Sequence, residues 1–298
     1  MRIITYFRFG IGGKAWLVLV MFGIGLGGLS IAGLAAPASG GQNQGTDRVV
    51  REILENEIRA QKEDLSLWQY QENKIENGKT ERFEVVETRE GDLERLVSVN
   101  GAPLAPDPEK KEEARIHRLV SDRQAIQTEH RKQQEDVVQE LKLLHMLTTA
   151  FQYQDAGQDG KLRKVNFRPN PTFHPPSREG EVFHHMAGSL WLDVEQKRLA
   201  RMSGTLTSEV TFGWGILGHL AKGGTFTVEQ AEVGKGHWEL TRLVVNMNGK
   251  ALFFKTIDVK QNVQNSNFKP VPREVTLQRA AELLKSDSTA SARTMTGN

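Results

Sequence analysis

Between Met186 and Val259 the chain carries five runs that read as β-strands: Met186–Val194, Arg198–Leu206, Gly224–Glu232, His237–Met247 and Ala251–Val259. Thr241, Leu243, Val245 and Met247 form one alternating face, and Phe253, Lys255 and Ile257 alternate with Leu252, Phe254 and Thr256. Asn248-Gly249 between those runs predicts a tight turn. A second strand-rich stretch, Trp68 to Leu104, reads as a meander. It turns at Asn77-Gly78 and Gly91-Asp92, and it ends at Asn100-Gly101 before Pro103 and Pro106. Leu162–Arg168 adds one more strand after the Gly157–Gly160 turn, followed by a proline-rich connection over Pro169–Glu179. Strands with one apolar and one wet face must bury the apolar one. The expected fold is therefore α+β: a strongly curved antiparallel sheet, an incomplete β-barrel, enclosing or covered by helices. Pairing of distant strands makes 47–272 one half-barrel domain.

The helical layer comes from three places. Asp47 can cap a helix running to about Lys62, with Val50, Ile53, Leu54 and Ile58 on one stripe. Pro108–Leu147 is helical with Ile116, Leu119, Ile126, Val137, Leu141 and Leu144 on one side. Arg123, His130 and Gln134 interrupt that side, and the polar middle, Thr128–Asp136, predicts a bend or loop between two helices. A last helix is expected over Arg273–Leu284, with 286–298 a mobile tail.

The N-terminus combines Arg2, Arg8 and Lys14 with an apolar stretch from Ala15 to Ala36 and the small residues Ala36-Pro37-Ala38. Residues 1–38 read as a signal peptide cut near Ala38 or as an uncleaved membrane anchor, since 15–36 has the length of a span. Residues 39–46 then form a linker. Either way the body lies in the periplasm or cell envelope, exported or held at the cytoplasmic membrane. Formal charge is 39 basic minus 37 acidic residues, or +2, and loss of three basic residues with the leader leaves 36 minus 37, or −1. No nucleic-acid surface follows from that balance. Absence of cysteine excludes disulfides, a thiol nucleophile, a Cys-ligated zinc site and an acylated N-terminal cysteine.

The strings Gly188-Ser189-Leu190-Trp191-Leu192-Asp193, Arg198-Leu199-Ala200-Arg201-Met202-Ser203-Gly204 and Trp238-Glu239-Leu240-Thr241-Arg242-Leu243 resemble the paired strands of exported proteins with the LolA/LolB-like fold. The resemblance follows element order over about Trp68–Lys260. It implies an incomplete antiparallel barrel wrapped around helices that cover a hydrophobic cavity. Some members of that family carry lipoproteins or other lipid-bearing molecules across the periplasm. The long helical region 108–147 departs from the pattern. No ligand-binding residue carries over by motif.

If the sheet encloses a cavity, Leu190, Leu192, Leu206, Phe226, Val228, Leu243, Val245 and Phe253 are its wall; otherwise they are core, because alternation does not separate the two. The segment Phe212-Gly213-Trp214-Gly215-Ile216-Leu217-Gly218 interleaves glycine with large apolar residues. Phe212, Trp214, Ile216 and Leu217 could cover an acyl-binding opening, pack as a crossover or dock a partner. Arg201 and Arg242 could face a polar head group or an internal carboxylate, or lie on the surface. His174, His184 and His185, with Glu179, Glu181 and Asp193 nearby, form no compact zinc motif, and no metal or cofactor is expected. Ser189 and Ser203 lie in no nucleophile elbow, and Asp193 with Glu195 is no basis for glycosidase chemistry. The function expected is reversible, non-enzymatic binding of a lipid, an acylated protein or another hydrophobic molecule. The alternatives are an envelope scaffold or protein-interaction module with a solid core and, third, an envelope hydrolase.

Overall fold

The computed structural model describes residues 42–212, 218–251 and 255–295. Helix α1 (Gln42–Glu63) opens the described chain and is followed by strands β1 (Leu67–Glu76), β2 (Lys79–Val86), β3 (Leu93–Val99) and β4 (Ala102–Pro103). Helices α2 (Pro106–Ser121) and α3 (Arg123–Ala150) lead to the hairpin β5 (Phe151–Asp159) and β6 (Leu162–Pro169). A 3-10 turn over Arg178–His185 precedes β7 (Met186–Asp193) and β8 (Arg198–Leu206). Then come β9 (Val210–Phe212), β10 (Gly218–Leu220), β11 (Thr225–Gly234), β12 (His237–Ala251), β13 (Lys255–Val271) and α4 (Leu277–Met295).

All thirteen described strands join one antiparallel sheet, in the order β4-β3-β2-β1-β13-β12-β11-β8-β7-β6-β5, with β10 on β12 and β9 on β10. The first and last strands of that path do not meet, so the sheet is open. The pairing of β1 with β13, from Leu67↔Val271 to Glu76↔Gln261, ties the N-terminal meander to the C-terminal strands.

Strand periodicity gives the sheet two different faces. On the face called inner here, Leu190, Met202, Val228, Leu243 and Val263 stand opposite one another across five strands. They share one buried cluster with Val50, Ile53, Leu54 and Ile58 of α1 and Leu143, Leu144 and Leu147 of α3. At the other end of the sheet a second cluster lies on the opposite, outer face. There Val86 of β2 and Leu93 pack with Ile116 of α2 and Leu277, Ala280 and Leu284 of α4. Helices thus cover both faces, but at different ends.

Several expectations shift in detail. The helical region breaks at Asp122, not within Thr128–Asp136. The Asp122 carboxylate accepts the Gln124 and Ala125 N–H groups at 2.9 and 3.2 Å and so caps α3. The polar run is an uninterrupted helical stretch, with an i,i+4 Arg131–Glu135 pair at 4.0 Å. Asn77-Gly78 and Asn100-Gly101 turn with positive φ, as a two-residue hairpin requires. Asn248-Gly249 does not turn: Asn248 pairs with Asp258 and Gly249 with Ile257, so β12 runs on to Ala251. Gly249 serves a close approach instead, because a Cβ there would lie 2.1 Å from the His219 carbonyl of β10. Strand β5 carried too short an alternation, Phe151 and Tyr153, to be expected. Helix α1 starts inside the predicted linker, the last helix starts at Leu277, and residues 286–295 are helical where a mobile tail was expected.

Two bulges re-phase the inner face. Leu199 and Met202 are both core although three residues apart, because the register shifts where Leu192 pairs with Leu199 and Trp191 with Arg201. Leu240 and Leu243 repeat the device on β12: Glu229 faces Arg242 while Gln230 faces Leu240, so Thr241 is the extra residue. Thr241 therefore leaves the alternating apolar face assigned to it, and Leu240 takes the buried place.

Candidate functional site

Every expected wall position whose side chain is described lies on the inner face. Leu190, Leu192, Leu206, Phe226, Val228, Leu243 and Val245 are buried in the cluster that also holds the α1 and α3 side chains. Glycines shape this wall. Gly188 and Gly204 face each other across β7 and β8, and a Cβ at Gly204 would sit 2.4 Å from the Phe226 ring. Phe253, Trp214, Ile216 and Leu217 lie outside the described residues; of Phe212 only the backbone, at the end of β9, is described.

A buried ion pair fastens α1 to this wall. Glu57 accepts Arg198 Nε at 2.9 Å, Arg198 Nη2 at 3.0 Å, the Leu199 N–H at 2.7 Å and Gln230 Nε2 at 3.2 Å. Gln230 also donates to the Leu199 carbonyl at 2.7 Å, and the Arg198 guanidinium lies 5.4 Å from the Trp238 ring centroid. Burial raises the Glu57 carboxyl above its ordinary range, against the pull of Arg198 and the hydrogen bonds. The cleft beside this pair, bordered by Gln61, Asp64 and Trp238, holds about 10 Å³, room for about one water.

The inner face changes character between β12 and β1. Val263 continues the apolar row from Leu243, but its next neighbour is Lys74. In the adjacent rows Glu72 stands opposite Asn265 on one side and Phe83 on the other, and Gln261 stands between Val245 and Glu76. Glu72, Asn265 and Gln261 are all buried, at 7%, 5% and 4% exposure. Among the described residues, both polar atoms of the Asn265 amide and Nε2 of Gln261 have no hydrogen-bond partner. Burial pushes Glu72 up to about 8; Glu94 and Glu81 add to the rise, and Lys74 opposes it. At neutral pH this carboxyl is mostly neutral and offers an O–H donor. Beside the strip stands an aromatic group, Trp68, Tyr70, Phe83 and Phe268, with Tyr70 stacked on Phe268 at 5.1 Å. Recessed polar groups without partners, next to aromatic surface, are the features a ligand-orienting patch needs.

Arg201 and Arg242 lie on the outer face and so do not share a surface with the expected wall. Both approach Glu229, at 3.5 and 3.8 Å, so it is a carboxylate of the sheet itself that they meet. Arg201 also covers Trp191 at 4.5 Å, with Lys164 5.1 Å from the same ring. His185 Nδ1 is 2.7 Å from Ser208 Oγ, and burial lowers the His185 pKa. Among the described residues no group of three or more His, Asp or Glu side chains converges to hold a metal ion. No described helix is long and apolar enough to cross a membrane, and the 15–36 stretch lies outside the described residues.

The polar strip was not anticipated from sequence. Its only local signal is the interruption of β13's apolar alternation by Gln261 and Asn265, and their partners on β1 are almost two hundred positions away.

No family model matches the chain. No curated protein matches it either. Among solved structures, a DUF1329 family protein from Desulfovibrio piger ATCC 29098 is similar over 75% of this chain and 92% of its own, at 8% identity and a TM-score of 0.25.

Proposed function

We propose that this chain is an exported cell-envelope protein of the LolA/LolB-like kind that reversibly binds an amphipathic, lipid-like molecule on the inner face of its open sheet. The observation that carries the reading is the passage of that face from apolar to polar across β12, β13 and β1. There, among the described residues, both polar atoms of the buried Asn265 amide and Nε2 of Gln261 lack hydrogen-bond partners. The helices α1 and α3 already occupy the apolar half, so the ligand lies along β13, β1 and β2. Its apolar part meets Phe83 and Phe268, and its uncharged polar end meets Glu72 and Asn265. Affinity comes from apolar burial and from satisfying polar groups that otherwise stay costly. No bond is made or broken. A lipid or an acylated protein meets these demands.

A second reading, a non-catalytic scaffold or protein-interaction module, is favoured by one observation: the side chains of α1 and α3 pack directly against the apolar wall. Native mass spectrometry of the chain purified from its own envelope separates the two, together with titration by a fluorescent fatty acid. A retained lipid-sized mass, and fatty-acid binding that Asn265→Leu weakens, support the binding protein. A bare chain that takes up no fatty acid leaves the scaffold.

A further inference from the structure

We propose that the outer face of the sheet, along the row from Lys164 to Arg242, binds a linear acidic polysaccharide. The register sets this row. Lys164 on β6 stands opposite Trp191 on β7, Trp191 opposite Arg201 on β8, Arg201 opposite Glu229 on β11, and Glu229 opposite Arg242 on β12. The cations therefore recur on every second strand of the sheet. With neighbouring strands about 4.8 Å apart, they repeat at about 9.6 Å, a length close to that of an extended disaccharide.

The row has more positive charge than it neutralises internally. Two guanidinium groups share the Glu229 carboxylate at 3.5 and 3.8 Å, longer than charge-assisted hydrogen bonds. The Nε atoms of Arg201 and Arg242 are buried with no hydrogen-bond partner among the described residues, while the side chains remain 42% and 43% exposed. Arg242 meets Glu229 through Nη1 and Arg201 through Nε, and the exposed part of each guanidinium can fork onto a carboxylate or sulfate. Trp191 lies between Lys164 and Arg201 and holds two of the three cations in place.

The neighbouring row decides the kind of polyanion. Asn166, Ser189, Ser203 and Thr227 stand opposite one another there, and they hydrogen-bond in pairs: Ser189 with Asn166 at 2.8 Å and Ser203 with Thr227 at 3.0 Å. Short hydroxyls and amides beside spaced cations suit a chain with many hydroxyls and one charge per repeat. A bilayer surface would ask for a protruding apolar anchor, and the row's aromatic residue, Trp191, is only 9% exposed. Helices α1 and α3 lie on the other face, and α2 and α4 sit at the β2–β3 end, so the row lies clear of the helical clusters.

The test uses the full chain and sodium hyaluronate, which carries one carboxylate per disaccharide, with neutral dextran and anionic phospholipid vesicles as comparisons. The expected result is retardation by hyaluronate but not dextran in affinity electrophoresis, weakening as salt rises. The double variant Arg201→Gln/Arg242→Gln should lose about tenfold or more in affinity. Glu229→Gln, which removes the row's carboxylate, should gain several-fold, a direction that mere structural damage would not produce. Equal retardation by hyaluronate and dextran, or none by either, overturns the proposal. So does tighter binding to the vesicles than to hyaluronate, or a Glu229→Gln variant that binds hyaluronate no better than the parent.

Discussion

Glu72 offers the sharpest test of how the inner face is built. Its carboxyl rises from 4.5 to about 8, chiefly because burial strips it of water. Below pH 4.5 both the folded and unfolded chains hold the proton. Between 4.5 and 8 the unfolded chain has released it and the folded chain retains it, so folding takes up a proton and stability falls as pH rises. Above 8 both states are ionised and the loss is complete. At about 1.4 kcal/mol per pH unit, the interval corresponds to roughly 5 kcal/mol.

Glu72→Gln keeps the shape and removes the titration. Urea denaturation of both proteins, at steps from pH 4.5 to 8.5, gives the difference directly, and Glu57 and the other groups common to both cancel. The parent should lose roughly 4–5 kcal/mol relative to the variant across that range, with a slope near one proton. A flat difference curve, or one in which the parent gains as pH rises, refutes the picture of a desolvated carboxyl facing Asn265. A bound ligand that donates a hydrogen bond to the ionised carboxylate should pull the transition toward lower pH.

Two further outcomes follow from the packing. Glu57→Ala leaves the Arg198 guanidinium, its side chain 11% exposed, without its carboxylate; the expected loss is about 3–5 kcal/mol in urea denaturation. Gly188→Ala would place its Cβ 2.0 Å from the Ser203 carbonyl and 2.9 Å from the Phe167 ring. The neighbouring strand has to move, so the loss should be about 2 kcal/mol or more, read as a lower thermal midpoint with the secondary structure retained.

Much of the fold was legible because strand patterning is local. Alternation located β7, β8, β11 and β12 to within a few residues, and the asparagine–glycine pairs at 77–78 and 100–101 turned where left-handed backbone was needed. The same dipeptide at 248–249 misled, since glycine also permits close backbone approach and only the position of β10 distinguishes the two uses. The polar run Thr128–Asp136 misled differently. Gln, Glu, Lys and Arg are good helix formers, so polarity there marks a wet face; the break belonged to Asp122, whose side chain is a ready helix cap. The candidate wall was legible as apolar positions, but not what fills it, because the choice between α1, α3 and a ligand is made by contacts far apart in sequence. Glu57 and Arg198 are 141 residues apart, and nothing local to either announces the other. Glu72 and Asn265 were invisible for the same reason.

The two surfaces are consequences of a single register. Aligning Leu190, Met202, Val228 and Leu243 inward places Trp191, Arg201, Glu229 and Arg242, or residues within one position of them, outward on the same strands. A slip by one residue would bury the charged row and expose the apolar one, a penalty that fixes the register strongly. Both bulges fall at the edge of this block, beside Trp191 and beside Glu229. They let the strands change phase toward α1 without disturbing the alignment of either row. Because side chains of the two rows leave the sheet in opposite directions, substitutions at Arg201, Glu229 or Arg242 touch the outer face alone, and those at Glu72 or Asn265 the inner one. Loss of hyaluronate binding with fatty-acid binding intact, and the reverse, therefore separate an exterior polyanion site from an interior amphiphile site within one folded chain.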